Sequence, residues 1–148
     1  RRQRQMCIRD SNEPVEYGKS EILREGSEIA LVAVGNMVEE TEKLYNRFLQ
    51  EGRQVTFVNA RFIKPLDKAM IDHLAESHKL IVTIEEGILH GGYGALVEEY
   101  LESKASDVKV LPIAIEDTFV CHGSIEELRK MLKIDAESIY DRIQDMME

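Results

Sequence analysis

The stretch from Leu80 to Gly94, Leu-Ile-Val-Thr-Ile-Glu-Glu-Gly-Ile-Leu-His-Gly-Gly-Tyr-Gly, does most to limit what this chain can fold into. Its first five residues are mostly β-branched and apolar, the composition of a strand covered on both faces. Glu85 and Glu86 end that strand, and a glycine-rich turn leads into a helical run from Ala95 to about Lys104. Strand, glycine turn and helix in succession form a corner of an α/β sheet, where such folds hold ligands or partners. Gly91, Gly92 and Gly94 permit positive φ and close approach by a neighbour, and the helix start behind them carries partial positive charge. The spacing is not a dinucleotide fingerprint, because G-x-G-x-x-G fails after Gly94. Nor is Gly18-Lys19-Ser20 a phosphate loop: Glu13 stands where that motif needs its first glycine, and no strand precedes it.

The rest of the chain alternates in the same manner. Lys19–Leu23 reads as a short edge strand, and Ile29–Val34 as a buried strand ended by Gly35. Asn36 is expected to cap a helix with Glu39 and Glu40 in its first turn. That helix would carry Val38, Thr41, Tyr45, Phe48 and Leu49 on its apolar stripe and stop at Gly52. Val55–Val58 is the next strand, and Pro65 with Asp67 opens a helix through Met70, Ile71 and Leu74. Val108–Ile115 is the last strand. Ser124 with Glu127 makes a capping box, and Asp135 caps a final helix burying Ile139, Ile143 and Met146 or Met147. Met131, Met146 and Met147 read as core filler. Such alternation predicts right-handed crossovers and a mainly parallel sheet with helices on both faces, a three-layer α/β/α architecture.

Composition narrows the function classes. A length of 148 residues suits one domain. A net charge of −9 argues against nucleic acid or an anionic membrane as partner, since either requires clustered Lys and Arg. Cys7 and Cys121 are too few for a disulfide framework, which favours a reducing compartment. No apolar run approaches the roughly 20 residues of a membrane span. Residues 1–12 are basic and unpatterned and are expected to be disordered or foreign to the fold. The absence of an initiator methionine suggests a piece of something longer.

From about Glu13 to Met147 the chain resembles the C-terminal domain of the transketolase family, in particular its 1-deoxy-D-xylulose-5-phosphate synthase branch. The resemblance rests on Glu16-Tyr-Gly-Lys19, Ala30-Leu-Val-Ala-Val-Gly-Asn-Met-Val38, Asn59-Ala-Arg-Phe-Ile-Lys-Pro-Leu-Asp67, Thr83-Ile-Glu-Glu86 with Gly91-Gly-Tyr-Gly94, and Asp117 to Gly123. It implies a five-stranded mixed sheet in the order 1-3-2-4-5, with strand 1 antiparallel. A switch-point crevice then falls between the Gly35–Met37 loop and the Glu85–Gly94 loop. It also implies a full-length enzyme that condenses pyruvate with glyceraldehyde 3-phosphate using thiamine diphosphate and magnesium. The setting would be bacterial cytoplasm or plastid stroma. The family's magnesium motif, Gly-Asp-Gly followed by Asn, is missing here, so no catalytic, cofactor-binding or metal residue is expected in this chain. The expected partners are the N-terminal and pyrimidine-binding domains of the same enzyme and a second copy in a homodimer. Two other readings stand beside it: the matching domain of a 2-oxo-acid dehydrogenase β subunit or of transketolase proper, and a stand-alone anion-binding module at Gly91–Gly94.

The candidate interface or corner residues are therefore Arg61, Glu85, Glu86, His90, Gly91, Gly92, Tyr93 and Gly94. Neighbouring residues on a strand point to opposite faces, so Glu85 and Glu86 make a poor acid/base pair. Arg61 is expected to pair with one of them, and breaking a buried pair would cost about 3–5 kcal/mol. Gly92 is expected to make room for a neighbouring domain. Cys121-His122 lacks the further ligands a metal site needs.

Overall fold

The computed structural model describes residues 14–147, and the expectation for residues 1–12, Cys7 included, lies outside them. Five strands, β1 (Glu21–Arg24), β2 (Glu28–Ala33), β3 (Thr56–Asn59), β4 (His78–Ile88) and β5 (Lys109–Ile115), form one sheet in the order β1-β3-β2-β4-β5. β1 runs antiparallel to β3, and the other pairs are parallel. Both the order and the reversed first strand are as the resemblance implies.

The central strand β2 is buried from Ile29 to Ala33 because both faces are covered. On one face lie α1 (Met37–Gln50), α4 (Ile125–Met131) and α5 (Ala136–Met147), around a core that includes Leu31, Phe48, Ile84 and Ile143. On the other lie α2 (Lys68–Ser77) and α3 (Tyr93–Ser103), packed on Val32, Val58 and Ile81 through Ile71, Leu74, Tyr93 and Val97. No helix among the described residues is long and apolar enough to cross a membrane.

Most helix signals hold. Asp67 accepts from Met70 N at 3.3 Å to start α2. Ser124 and Glu127 form the expected capping box, and Asp135 accepts from Ser138 N at 3.3 Å at the start of α5. α1 ends in a Schellman motif: Arg53 N donates to Phe48 O at 2.9 Å and Gly52 N to Leu49 O at 3.0 Å, with Gly52 at φ +76°.

Four expectations are corrected. Asn36 stands at the start of α1 with helical dihedrals, and its side chain makes no cap bond. The α1 stripe runs through Met37, Thr41, Leu44 and Phe48, at i, i+4, i+7 and i+11, which turns Leu49 outward to 47% exposure. β4 does not end at the carboxylates; it passes through Glu85 and Glu86 to Ile88 by way of a register shift against β5. Met131 is 53% and Met147 36% exposed, so neither fills the core, whereas Met146 packs against it.

Candidate functional site

β2 and β4 leave the sheet side by side, and Val34 N donates to Ile84 O at 2.9 Å at the point of exit. From here the side chains of β4 divide by parity. Leu80, Val82 and Ile84 face the α1/α5 side, so Glu86 follows them, while Glu85 follows Ile81 to the α2/α3 side.

Glu85 is 4% exposed, and its Oε1 accepts from Gly94 N at 2.9 Å. The N-cap position of α3 is Gly92, which has no side chain to offer. A carboxylate from the preceding strand therefore satisfies a free N–H of the first turn and puts negative charge at the positive end of the helix. This also answers the anion-module reading, because the helix start that would receive a foreign anion already holds the chain's own. The glycines fit around this contact. Gly91 sits at φ +86°, open to solvent, where the chain reverses. A Cβ on Gly92 would lie 2.6 Å from Glu85 Oε1 and against Ile88 O, and one on Gly94 would lie 2.7 Å from Thr83 Oγ1. The crowding is within the chain, not with a neighbouring domain.

α3 begins at Tyr93, two residues before the expected Ala95, because Glu85 caps it from outside its own sequence. The Tyr93 ring is buried against α2 and the sheet. Burial, with the nearby charges of Asp67 and Glu85, pushes its hydroxyl well above the usual phenol range, so it stays protonated. His90 is exposed on the turn.

Glu86 accepts from Arg129 Nε at 2.9 Å and from its Nη2 at 2.5 Å. Arg129 Nη1 reaches Glu40 Oε2 at 3.3 Å, and Glu40 also takes Lys43 Nζ at 2.9 Å and Ala136 N at 3.1 Å. Burial raises the Glu40 carboxyl, but the Lys43 ammonium, the Ala136 N–H and the Arg129 charge outweigh it and hold it below its ordinary value. This network joins β4, α4, α1 and α5. Sequence reasoning missed it, although a glutamate between Met37 and Leu44 on the buried stripe was the available signal.

Arg61 pairs with neither carboxylate of β4. It sits at φ +55° after β3, its N donates to Asn59 Oδ1 at 3.0 Å, and its guanidinium forms an ion pair with Glu21 of β1. β2 separates β3 from β4 by two strand spacings, about 10 Å, whereas β1 is the immediate neighbour. Cys121 and His122 are exposed, and among the described residues no three of His, Cys, Asp or Glu gather in a way that could hold a metal.

The comparisons agree with this architecture. The family model described as transketolase, C-terminal domain, matches residues 18–139. A 1-deoxy-D-xylulose-5-phosphate synthase from Lachnoclostridium phytofermentans is 42% identical over 137 residues, covering 92% of this chain and 22% of that protein. One from Clostridium acetobutylicum is 39% identical, covering 86% of this chain and 20% of its own length. The chain thus spans about a fifth of these relatives. A split-gene transketolase solved as an inactive β4 tetramer superposes with a TM-score of 0.80 at 25% identity, covering 88% of this chain and 43% of that one. With the sheet order, the reversed β1 and the glycine corner all in place, this chain belongs to the transketolase C-terminal domain family.

Proposed function

We propose that residues 13–148 are the C-terminal module of a 1-deoxy-D-xylulose-5-phosphate synthase, a contact and dimer-forming domain with no active site of its own. The observation that carries this reading is the 42% identity over 137 residues to a synthase of which the match is only 22%. The complete enzyme would condense pyruvate with glyceraldehyde 3-phosphate, with loss of carbon dioxide, in the bacterial cytoplasm. Thiamine diphosphate with magnesium supplies the carbanion chemistry of that reaction when bound.

The residues of this chain do not fit that cofactor. Magnesium at a diphosphate needs converging oxygen ligands, and the described residues offer no such cluster. The buried corner carboxylate, Glu85, is engaged by Gly94 N–H. A similar chain crystallised alone as an inactive tetramer, which supports a non-catalytic role for the separate module.

What the chain does offer is a rim. β1 is antiparallel, so it begins where β2 to β5 end, and residues arriving at Ser20 reach the same rim as the exposed His90–Gly91 turn. Tyr17 stacks edge-on to Phe62 with ring centres 5.4 Å apart, fixing that entry. The N-terminal and pyrimidine-binding domains would sit against this rim, with His90 and Gly91 facing them. The test replaces the corresponding domain of the Lachnoclostridium synthase with this chain. A folded, active chimera is the expected result, and a folded chimera without activity would sink the assignment. Calorimetric titration of the chain alone with thiamine diphosphate and magnesium should give no binding heat; micromolar binding would overturn the non-catalytic reading.

A further inference from the structure

After β5 the chain crosses Glu116 to Gly123, all of it exposed, before α4 begins. Phe119 on this loop is 102% exposed, a full phenyl ring in water. Beside it lies a groove of about 240 Å³ walled by Ile115, Val120, Ile125, Leu128, Leu132 and Ile134, with Glu86 and Arg129 as its polar lip. Ile125 is 66% exposed, and Ile88, paired with Ile115 in the sheet, is 50% exposed. An isolated exposed leucine or isoleucine needs no explanation, but a contiguous apolar patch does.

We infer that this patch is a self-complementary interface, in which Phe119 of each copy fills the groove of a second copy of this chain. A two-fold contact requires projection and recess on one surface of the same molecule, and here they are neighbours in sequence and in space. The area is consistent with a modest dimer. Each phenyl ring buries about 150–250 Å²; two rings and the two grooves that receive them come to about 1,000 Å², the lower bound for specific association. The position also separates this surface from the incoming polypeptide, which enters beside β1 at the opposite end of the sheet. Glu116, Asp117, Glu126 and Glu127 flank the patch, so two copies bring like charges together and salt should strengthen the contact. The inference deepens the contact role proposed above and rests on it; the chimera tests that role, and the following experiment tests this surface alone.

The experiment is sedimentation equilibrium of the 148-residue chain, up to about 1 mM, where weak interfaces populate. The chain should show a reversible monomer–dimer equilibrium that tightens from low to moderate salt. Phe119→Asp, and independently Val120→Asp, should weaken it by at least about tenfold with unchanged circular dichroism. Ile63→Asp, at the β1 end, should leave it unaltered. A chain that stays monomeric throughout overturns the inference. So does a dimer that survives Phe119→Asp, or one abolished only by Ile63→Asp, which would assign self-association to the entry face instead.

Discussion

Replacing Glu85 separates the hydrogen bond from the charge at the start of α3. Glu85→Ala removes the acceptor for Gly94 N–H, which is buried and has no alternative side chain at the Gly92 N-cap position. A hydrogen bond to a charged group is worth about 1.5–3 kcal/mol, and a carboxylate at a partly buried helix start adds about 0.3–2 kcal/mol. Against this stands the desolvation of the carboxylate, which the mutant no longer bears. The expected net loss is about 2–3 kcal/mol, or a fall in Tm of about 6–12 °C for a chain of this size. Glu85→Gln keeps an oxygen for Gly94 and nearly the same volume, so it should lose only about 1 kcal/mol. Urea unfolding followed by circular dichroism gives both values, and hydrogen exchange at the Gly94 amide reads the bond directly. If Glu85→Ala lies within about 0.5 kcal/mol of the parent, or its Gly94 amide exchanges no faster, Glu85 does not hold the start of α3.

Four further expectations follow from the same contacts. Gly92→Val should destabilise this chain itself by about 2 kcal/mol or more, since the added carbons meet Glu85 and Ile88 O of the same chain, and unfolding of the isolated chain measures it. Arg61→Ala should cost no more than about 1 kcal/mol, because its pairing with Glu21 is partly exposed, and a loss of 3 kcal/mol would point to a buried partner instead. His78 Nε2 lies 2.7 Å from Thr56 Oγ1, and burial holds its pKa below the ordinary 6.5, so the unfolded chain takes up the proton first. Stability is then full above pH 6.5 and declines as pH falls through that value toward the folded pKa, and His78→Gln should flatten this segment of the profile. Glu40, held below its ordinary 4.5, contributes stability present above that pH and lost below it, and Glu40→Gln should reduce that acid-side loss.

The strands and their alternation with helices were legible in the sequence because continuous apolar runs of four to six residues have few other solutions in a soluble chain. The caps at Asp67, Ser124 and Asp135 were legible for a similar reason, each acting within three residues of itself. What escaped was set by distant parts of the chain. Glu85 and Glu86 look like the end of a strand, and only the α3 start and Arg129 of α4 explain why β4 carries both and continues. The Arg61 partner depended on which strand lies next to β3, a matter of sheet order more than of local pattern. Leu49 is apolar but lies a full 100° step beyond Phe48, so composition named it and helix phase removed it. Phe119 has no periodic neighbours at all, and only its full exposure beside a groove gives it meaning.

The two outer strands give this open sheet a property that its core does not. β1 has four residues, carries Glu21 and Arg24, and shifts register between Ile22 and Arg24. At the other margin β5 contains Pro112, which has no N–H to donate and whose carbonyl accepts from Arg142 Nη2 at 3.3 Å. Both margins are therefore poor templates for strand addition, by a further chain or by an aggregating copy. A domain of this kind can be carried at high local concentration within an oligomer without growing into a continuous β-ribbon, and its recognition of other polypeptides is left to loops and helices.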